Sequence, residues 1–420
     1  MQRRYLKLSA VLTSLALVAS ACGGGTGSGG AATTAPTGAA TTAPTVAAAK
    51  TVKIYSSLPL TGPSRAQTLT VVNGIKMAMD EAGGKDGTGA KAGNVTVEYE
   101  SLDDATAAKQ SWDAAQEAEN ARKAAEDSKT VGYIGTYNSG AARISLPIMN
   151  KAGIPMISPA NTATDLTMDR TKDSTYYASG TKNYFRVIPN DSIQGLVGAN
   201  WMKDLKVTKV YVVDDTDLYG KGLADVFEAS AKKIGLTVVG RDGAPKADNF
   251  NALATKIKSS GAEGVYYGGV VDFNPAVLVK NLRAAGFTGP FMGADGIQCD
   301  EMIKQMGSAG EGVFATFGGV SVDKYTGAQA AWLAKYKSKF GSDPQPYAIY
   351  GYEAAQVLLK AIADAGGDRT KMVASVRKVG TNYEGVLGKW SFDQFGDTSN
   401  TAHTGVVVKG GKWVFSKVLN

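Results

Sequence analysis

One histidine, His403, occurs among the 420 residues, inside the C-terminal segment NTAHTG. Without a second imidazole, zinc-dependent hydrolysis loses its usual ligand set, and no other histidine is available as the base for a nucleophilic serine. His403 reads as a surface loop residue. Ser139 lies in TYNSG, where Tyr137 occupies the glycine that a G-x-S-x-G nucleophile elbow requires. Asp103 and Asp104 are adjacent carboxylates where a helix should start. Neighbours in sequence seldom converge on one bond, so helix caps and loop acceptors are expected there. The glycine-rich GGKDGTGAKAG after Ala82 leads from a helix into a strand, the reverse of a phosphate loop, and reads as a solvated turn. These residues predict no enzyme, no cofactor and no metal site.

Other residues suit the recognition of a small charged molecule. In VGYIG-TYNSG-AARIS, Ser139 and Gly140 fall between a buried strand and the first turn of a helix. The serine hydroxyl, the neighbouring N–H groups and the positive end of the helix would together receive a carboxylate. A plain helix cap would use the same serine. In PMIS-PANT, Pro159 enforces an extended segment that leaves the Ala160 carbonyl and the Thr162 hydroxyl facing one crevice. The carbonyl could take an ammonium, and Thr162 could equally cap a helix. In VYVVDDTDLYGKG, Tyr219 opens a helix, and in PFMGADG, Asp295 ends a strand among small residues. Asp295 would answer an ammonium, because a crowded carboxylate is costly to desolvate unless paired. A solvated turn aspartate is the alternative.

The elements that must hold these residues alternate between short β-rich runs and amphipathic helices, which is the pattern of parallel sheets flanked by helices. Strands are predicted at VKIYSSL from Val52, VTVEYE from Val95, VGYIG from Val131 and PMIS from Pro155. A second series is expected from Tyr184, with YFRVI, KVYVVDD, LTVVG, GVYYGG and PFMG. VVNGIKMAMDEA carries Val72, Ile75 and Met79 at helical spacing. Ser192 and Asp248 are read as helix caps. The charged stretch AAQEAENARKAAEDSK mixes both signs at helical spacing and reads as a solvated face, or else a contact surface for a neighbour. Open α/β sheets bind ligands at the carboxyl ends of their strands, where the residues singled out above lie.

The N-terminus has Arg3, Arg4 and Lys7 ahead of an apolar stretch from Leu8 to Ala19, the pattern of a secretion signal over residues 1–21. The run Leu17-Val18-Ala19-Ser20-Ala21-Cys22 resembles a bacterial lipobox, which makes Cys22 the expected lipid attachment point and a membrane the expected partner. Residues 22–50 repeat GAATTAPT and carry almost no large apolar side chain, so they form a tether of roughly 30 Å. The formal charge of +7 falls to +4 without Arg3, Arg4 and Lys7, and nothing points to nucleic acid. About 400 remaining residues exceed what one core usually serves, so two lobes are expected. Cys299 has no second cysteine to pair with once Cys22 is lipidated.

Taken in order from about residue 51, VKIYSSLPLTGPS, NGIKMAMDEAGG, LDDAT, YIGTYNSG, AGIPMISPANT, FRVIPNDSIQG, DLYGKG, YYGG, LRAAGFTGPFMGADG and GKWSFDQFGD resemble the Leu/Ile/Val-binding proteins of ATP-binding-cassette importers. The resemblance implies a type I periplasmic binding protein fold of two Rossmann-like lobes. Residues 51–189 and 320–404 would form the first lobe and 190–319 and 405–420 the second. Three hinge crossings would fall near 189–191, 318–320 and 404–406. It implies that Ser139 and Thr162 hold a ligand carboxylate, that the Ala160 carbonyl and Asp295 hold its ammonium, and that Tyr219 forms a wall. Asp295 stands where the family often has Glu, Gln67 where it has Tyr, and Tyr137 where it has Leu. Val270 and Val271 replace another tyrosine, Tyr347 keeps an aromatic, and Thr106 and Asn138 occupy the positions of a frequent disulfide. The resemblance thus implies a monomer that delivers an amino-acid-like solute to an ABC permease, with a rebuilt side-chain pocket. An amide, urea-like or aromatic solute, or the sensing lobe of a receptor, are the alternatives.

Overall fold

The first strand, β1 (Thr51–Leu58), is buried along most of its length, as a strand covered on both faces must be. The computed structural model describes residues 50–420; the expected signal segment, Cys22 and the tether up to residue 49 lie outside the described residues. After β1 come α1 (Arg65–Glu81), β2 (Ala90–Ala92), β3 (Val95–Asp103) and a hairpin of β4 (Ala105–Thr106) and β5 (Ser111–Trp112). Next are α2 (Ala114–Glu126), β6 (Thr130–Gly135), α3 (Ser139–Lys151), β7 (Met156–Ser158), α4 (Asp173–Tyr176) and β8 (Tyr184–Arg186). The first sheet runs β2-β3-β1-β6-β7-β8 and is parallel except for β2.

The second half begins with α5 (Asp191–Asp204), β9 (Lys209–Asp214), α6 (Leu218–Lys233), β10 (Thr237–Gly243), α7 (Asn251–Ser259) and β11 (Gly264–Gly268). It continues with α8 (Pro275–Ala284), β12 (Phe291–Gly293), α9 (Asp300–Met306), β13 (Phe314–Gly318), α10 (Gly327–Phe340) and α11 (Ala348–Ala365). The chain closes with α12 (Met372–Val379), a hairpin of β14 (Tyr383–Gly385) and β15 (Gly388–Trp390), then β16 (His403–Lys409) and β17 (Lys412–Leu419). The second sheet is ordered β10-β9-β11-β12-β13-β16-β17, with the last two strands antiparallel. Each sheet is the centre of a lobe.

Helix α11 belongs to the first lobe although it lies far along the chain, because its apolar face covers the first sheet and α1. Gly74 and Gly351 let α1 and α11 cross closely. A Cβ at Gly74 would fall 2.1 Å from the Ala348 carbonyl oxygen, and one at Gly351 would fall 2.6 Å from a Val71 methyl.

Several expectations need correction. YFRVI does not begin the second series; Tyr184, Phe185 and Arg186 pair in parallel with Met156, Ile157 and Ser158 and complete the first sheet. The cap of α5 is Asn190, which accepts from Ser192 N at 3.1 Å, so Ser192 lies inside the helix. Asp248 does not cap α7, which begins behind Phe250. His403 is no surface loop residue. It opens β16, is buried, and is held by Nδ1 against the Thr401 carbonyl at 2.9 Å; burial lowers its pKa and favours the neutral imidazole. Through pairing with Gly318 and Phe317, His403 and Thr404 already belong to the second sheet, two residues ahead of the expected start.

The face of α2 is only partly solvated. Asp113 caps it with bonds to Ala115 N and Gln116 N, whereas Glu117 is buried and accepts from Ser57 Oγ at 2.5 Å and Tyr133 Oη at 2.9 Å. Asp103 is the expected loop acceptor, receiving Leu60 N, Thr61 Oγ1 and Ala105 N, each at 2.8 Å. Asp104 caps nothing; it is buried and its carboxylate has no protein hydrogen-bond partner.

Candidate functional site

Where β6 and β7 end, two loops are stitched into one surface. Asn161 accepts from Thr136 N at 3.2 Å and donates to the Tyr137 carbonyl at 3.0 Å. Ser158 Oγ accepts from Ala160 N and Asn161 N and donates to the Thr136 carbonyl. Ser139 is the first residue of α3 rather than its cap, a correction to the expected role. Its hydroxyl turns to the neighbouring loop, accepting from Thr162 N at 3.3 Å and Ala163 N at 3.2 Å. The Thr162 hydroxyl is buried without a protein partner. Nor does Thr162 cap α5, since Asn190 does so.

The opposing face comes from α6 and the turn after β12. Asp217 caps α6 through Leu218 N at 2.6 Å, which aims Tyr219 at the cleft. Tyr219 Oη donates to Asp295 Oδ1 at 2.6 Å. The other Asp295 oxygen accepts from Tyr347 Oη, which reaches across from the first lobe. Asp295 is therefore a paired buried carboxylate, not a solvated turn residue. Burial raises its pKa, and the bonds from Tyr219 and Tyr347 oppose the rise.

Between the faces lies a narrow cavity of about 10 Å³. The first lobe lines it with Tyr137, Asn138, Ala160 and Tyr347, and the second with Tyr219, Val270, Asp295 and Gly296. One water needs about that much room, so the closed lobes leave little free space between these walls. Tyr137 meets Tyr347 edge-on at 5.7 Å between ring centres and donates to Gln67 Oε1. Gln67 Nε2 in turn donates to the Gln298 carbonyl at 2.7 Å and crosses the cleft. Gly140 is at the rim, where a Cβ would come within 2.6 Å of the Trp112 ring. Ser139 and Thr162 are not among the lining residues.

Contacts at the rim hold the lobes closed. Trp112 Nε1 donates to Asp217 Oδ2 at 2.7 Å, and Ser64 donates to Asp272 through N at 2.8 Å and Oγ at 2.6 Å. Burial pushes Asp272 up to about 6.

Sequence reasoning missed two residues. Asp191, read only as part of a hinge, is buried at the start of α5 with neither oxygen in a hydrogen bond. Burial first, and then the charge of Asp295, pushes it up to about 8, while nearby Thr162 and Arg186 hold it down. Asn138, read only as a replaced disulfide position, lines the chamber. An asparagine in the short loop between a buried strand and a helix was the available signal. Among the described residues no group of three or more His, Cys, Asp or Glu could hold a metal ion.

Two α/β lobes that meet across a small polar chamber have the architecture of a solute-binding protein. This chain belongs to the periplasmic binding protein family, whose profile matches residues 51–412. It is 31% identical over 281 residues to an amino acid binding protein of Pseudomonas aeruginosa, covering 66% of this chain and 71% of that protein. It is 30% identical to a Leu/Ile/Val-binding protein homologue of Brucella abortus, covering 81% of this chain and 86% of that protein. Among solved structures, the leucine binding protein LivK of Thermotoga maritima superposes with a TM-score of 0.76 at 28% identity, covering 88% of this chain and 99% of that one.

Proposed function

We propose that this chain is an extracytoplasmic lipoprotein, anchored through Cys22, that captures an amino acid of branched-chain or related type and delivers it to the permease of an ABC importer. The observation that carries this reading is Asp295, a buried carboxylate held by tyrosines from both lobes. The ligand carboxylate takes Ser139 and Thr162 beside the positive end of α3. Its ammonium takes the Ala160 carbonyl and Asp295, with Asp191 behind them. Because both lobes contribute, the ligand favours the closed form by its differential affinity for that form.

The lobe division follows the crossings, with the third moved ahead of His403. No helix among the described residues is long and apolar enough to cross a membrane. We propose that the protein works as a monomer.

Native mass spectrometry of freshly purified protein, followed by calorimetric titration with the twenty amino acids, tests the reading. A co-purifying amino acid, or binding of one at micromolar affinity or better, is expected. Binding of none of the twenty would overturn it.

A further inference from the structure

The polar side chains lining the chamber are nearly all engaged. Tyr219 and Tyr347 donate to Asp295, and Tyr137 donates to Gln67. Ala160, Val270 and Gly296 have no polar side-chain atom. Asn138 is the exception: it is 2% exposed, and neither its Nδ2 nor its Oδ1 has a protein partner.

The local backbone makes this more telling. Asn138 stands at the N-cap of α3, where an asparagine oxygen ordinarily accepts from an N–H of the first turn. Here it forms no such bond. The turn is held by the backbone instead, with the Asn138 carbonyl accepting from Thr136 Oγ1 at 2.7 Å and Ala142 N at 3.2 Å. The carboxamide is thus spared from the fold, and a buried donor and acceptor left unpaired are costly.

We propose that Asn138 is the specificity-determining residue of the chamber and reads a ligand group offering both an acceptor and a donor, namely a primary carboxamide or urea-type group. The two amides would pair through N–H···O and C=O···H–N bonds. This rests on the reading that the chamber holds an amino acid, and it narrows that ligand to one with an amide-bearing side chain. An aliphatic side chain leaves both Asn138 atoms unpaired, and a carboxylate answers only the donor. Sites built to hydrogen-bond a substrate group discriminate strongly against analogues that lack it.

Calorimetric titration of the full chain with L-glutamine, L-asparagine, L-glutamate and L-leucine tests the proposal, using wild type, Asn138→Leu and Asn138→Asp. Wild type is expected to bind one of the amides at least ten-fold tighter than leucine. Asn138→Leu should abolish that preference. Asn138→Asp matches the carboxamide in size, keeps the test decisive if the leucine variant does not fold, and should weaken the amide at least ten-fold. Leucine bound as tightly as the amides by wild type, or a preference surviving either variant, overturns the proposal while leaving the amino-acid reading intact. If none of the four binds, L-citrulline, an amino acid whose side chain ends in a urea group, is titrated into the same proteins and decides it. Asn138-dependent binding then upholds the proposal, and no binding overturns it.

Discussion

On the second-lobe face of the cleft, Asp295 is satisfied by Tyr219 and Tyr347, and Asp272 by the backbone and hydroxyl of Ser64. On the first-lobe face, Asn138 and Thr162 keep polar atoms that no protein group satisfies, although both residues are buried. Asp191 and Gln298 Oε1 of the second lobe are unpaired as well, but among the side chains that line the chamber the unpaired atoms belong to Asn138 of the first lobe. Each unpaired group costs about 1–3 kcal/mol, a cost that a ligand bonding to it removes. The first-lobe face therefore gains most from the ligand. The second-lobe face, already organised by cross-cleft bonds, supplies closure.

Asp295 is the sharpest place to break this contrast, because it both joins the faces and meets the ligand ammonium. Asp295→Asn keeps the size of the side chain and removes its charge. Amino-acid affinity should fall more than 100-fold in calorimetry, since a buried charge pair loses one partner; a loss under ten-fold would remove Asp295 from ammonium binding.

The next effect is on pH dependence. Asp272, Glu117 and Asp191 are pushed up to about 6, 7 and 8, in each case chiefly by burial. The folded chain therefore holds protons that the unfolded chain releases. Stability from these groups is fully present below the ordinary carboxylate range and is lost as pH rises through 6 to 8. The melting temperature should fall from pH 5 to pH 8, and Asp191→Asn should flatten that fall. An unchanged slope in the variant would show that Asp191 ionises normally.

Smallest is the rim. Trp112→Phe removes the indole bond to Asp217, a hydrogen bond to a charged group but at a half-exposed edge. A loss of roughly three- to ten-fold in ligand affinity is expected in calorimetry. A loss as large as that of Asp295→Asn would mean that the rim, not the chamber, governs closure.

Strands VKIYSSL, VGYIG and GVYYGG were legible because both faces of a parallel sheet are covered, which leaves continuous apolar runs. Ala160, Tyr219 and Asp295 were likewise legible as strand-end or loop residues, and Tyr137 and Tyr347 only through the family resemblance; the five meet in one chamber. Caps were harder. Asn190, Ser192 and Asp248 all belong to good cap types, and only the actual path of the backbone selects among them. His403 illustrates the same limit, since a lone histidine between threonines carries no periodic signal, and its burial follows from antiparallel pairing with Gly318.

Local chemistry thus determined the elements, the absence of a histidine-based catalytic set and the types of group that could greet a carboxylate and an ammonium, because propensity and patterning act within a few residues. Only the tertiary structure decided which polar atoms are already spent. Tyr347 reaches Asp295 across 52 positions and Gln67 reaches Gln298 across 231, so whether Asn138 or Asp191 is left unpaired depends on how the lobes close, which no local stretch of residues encodes.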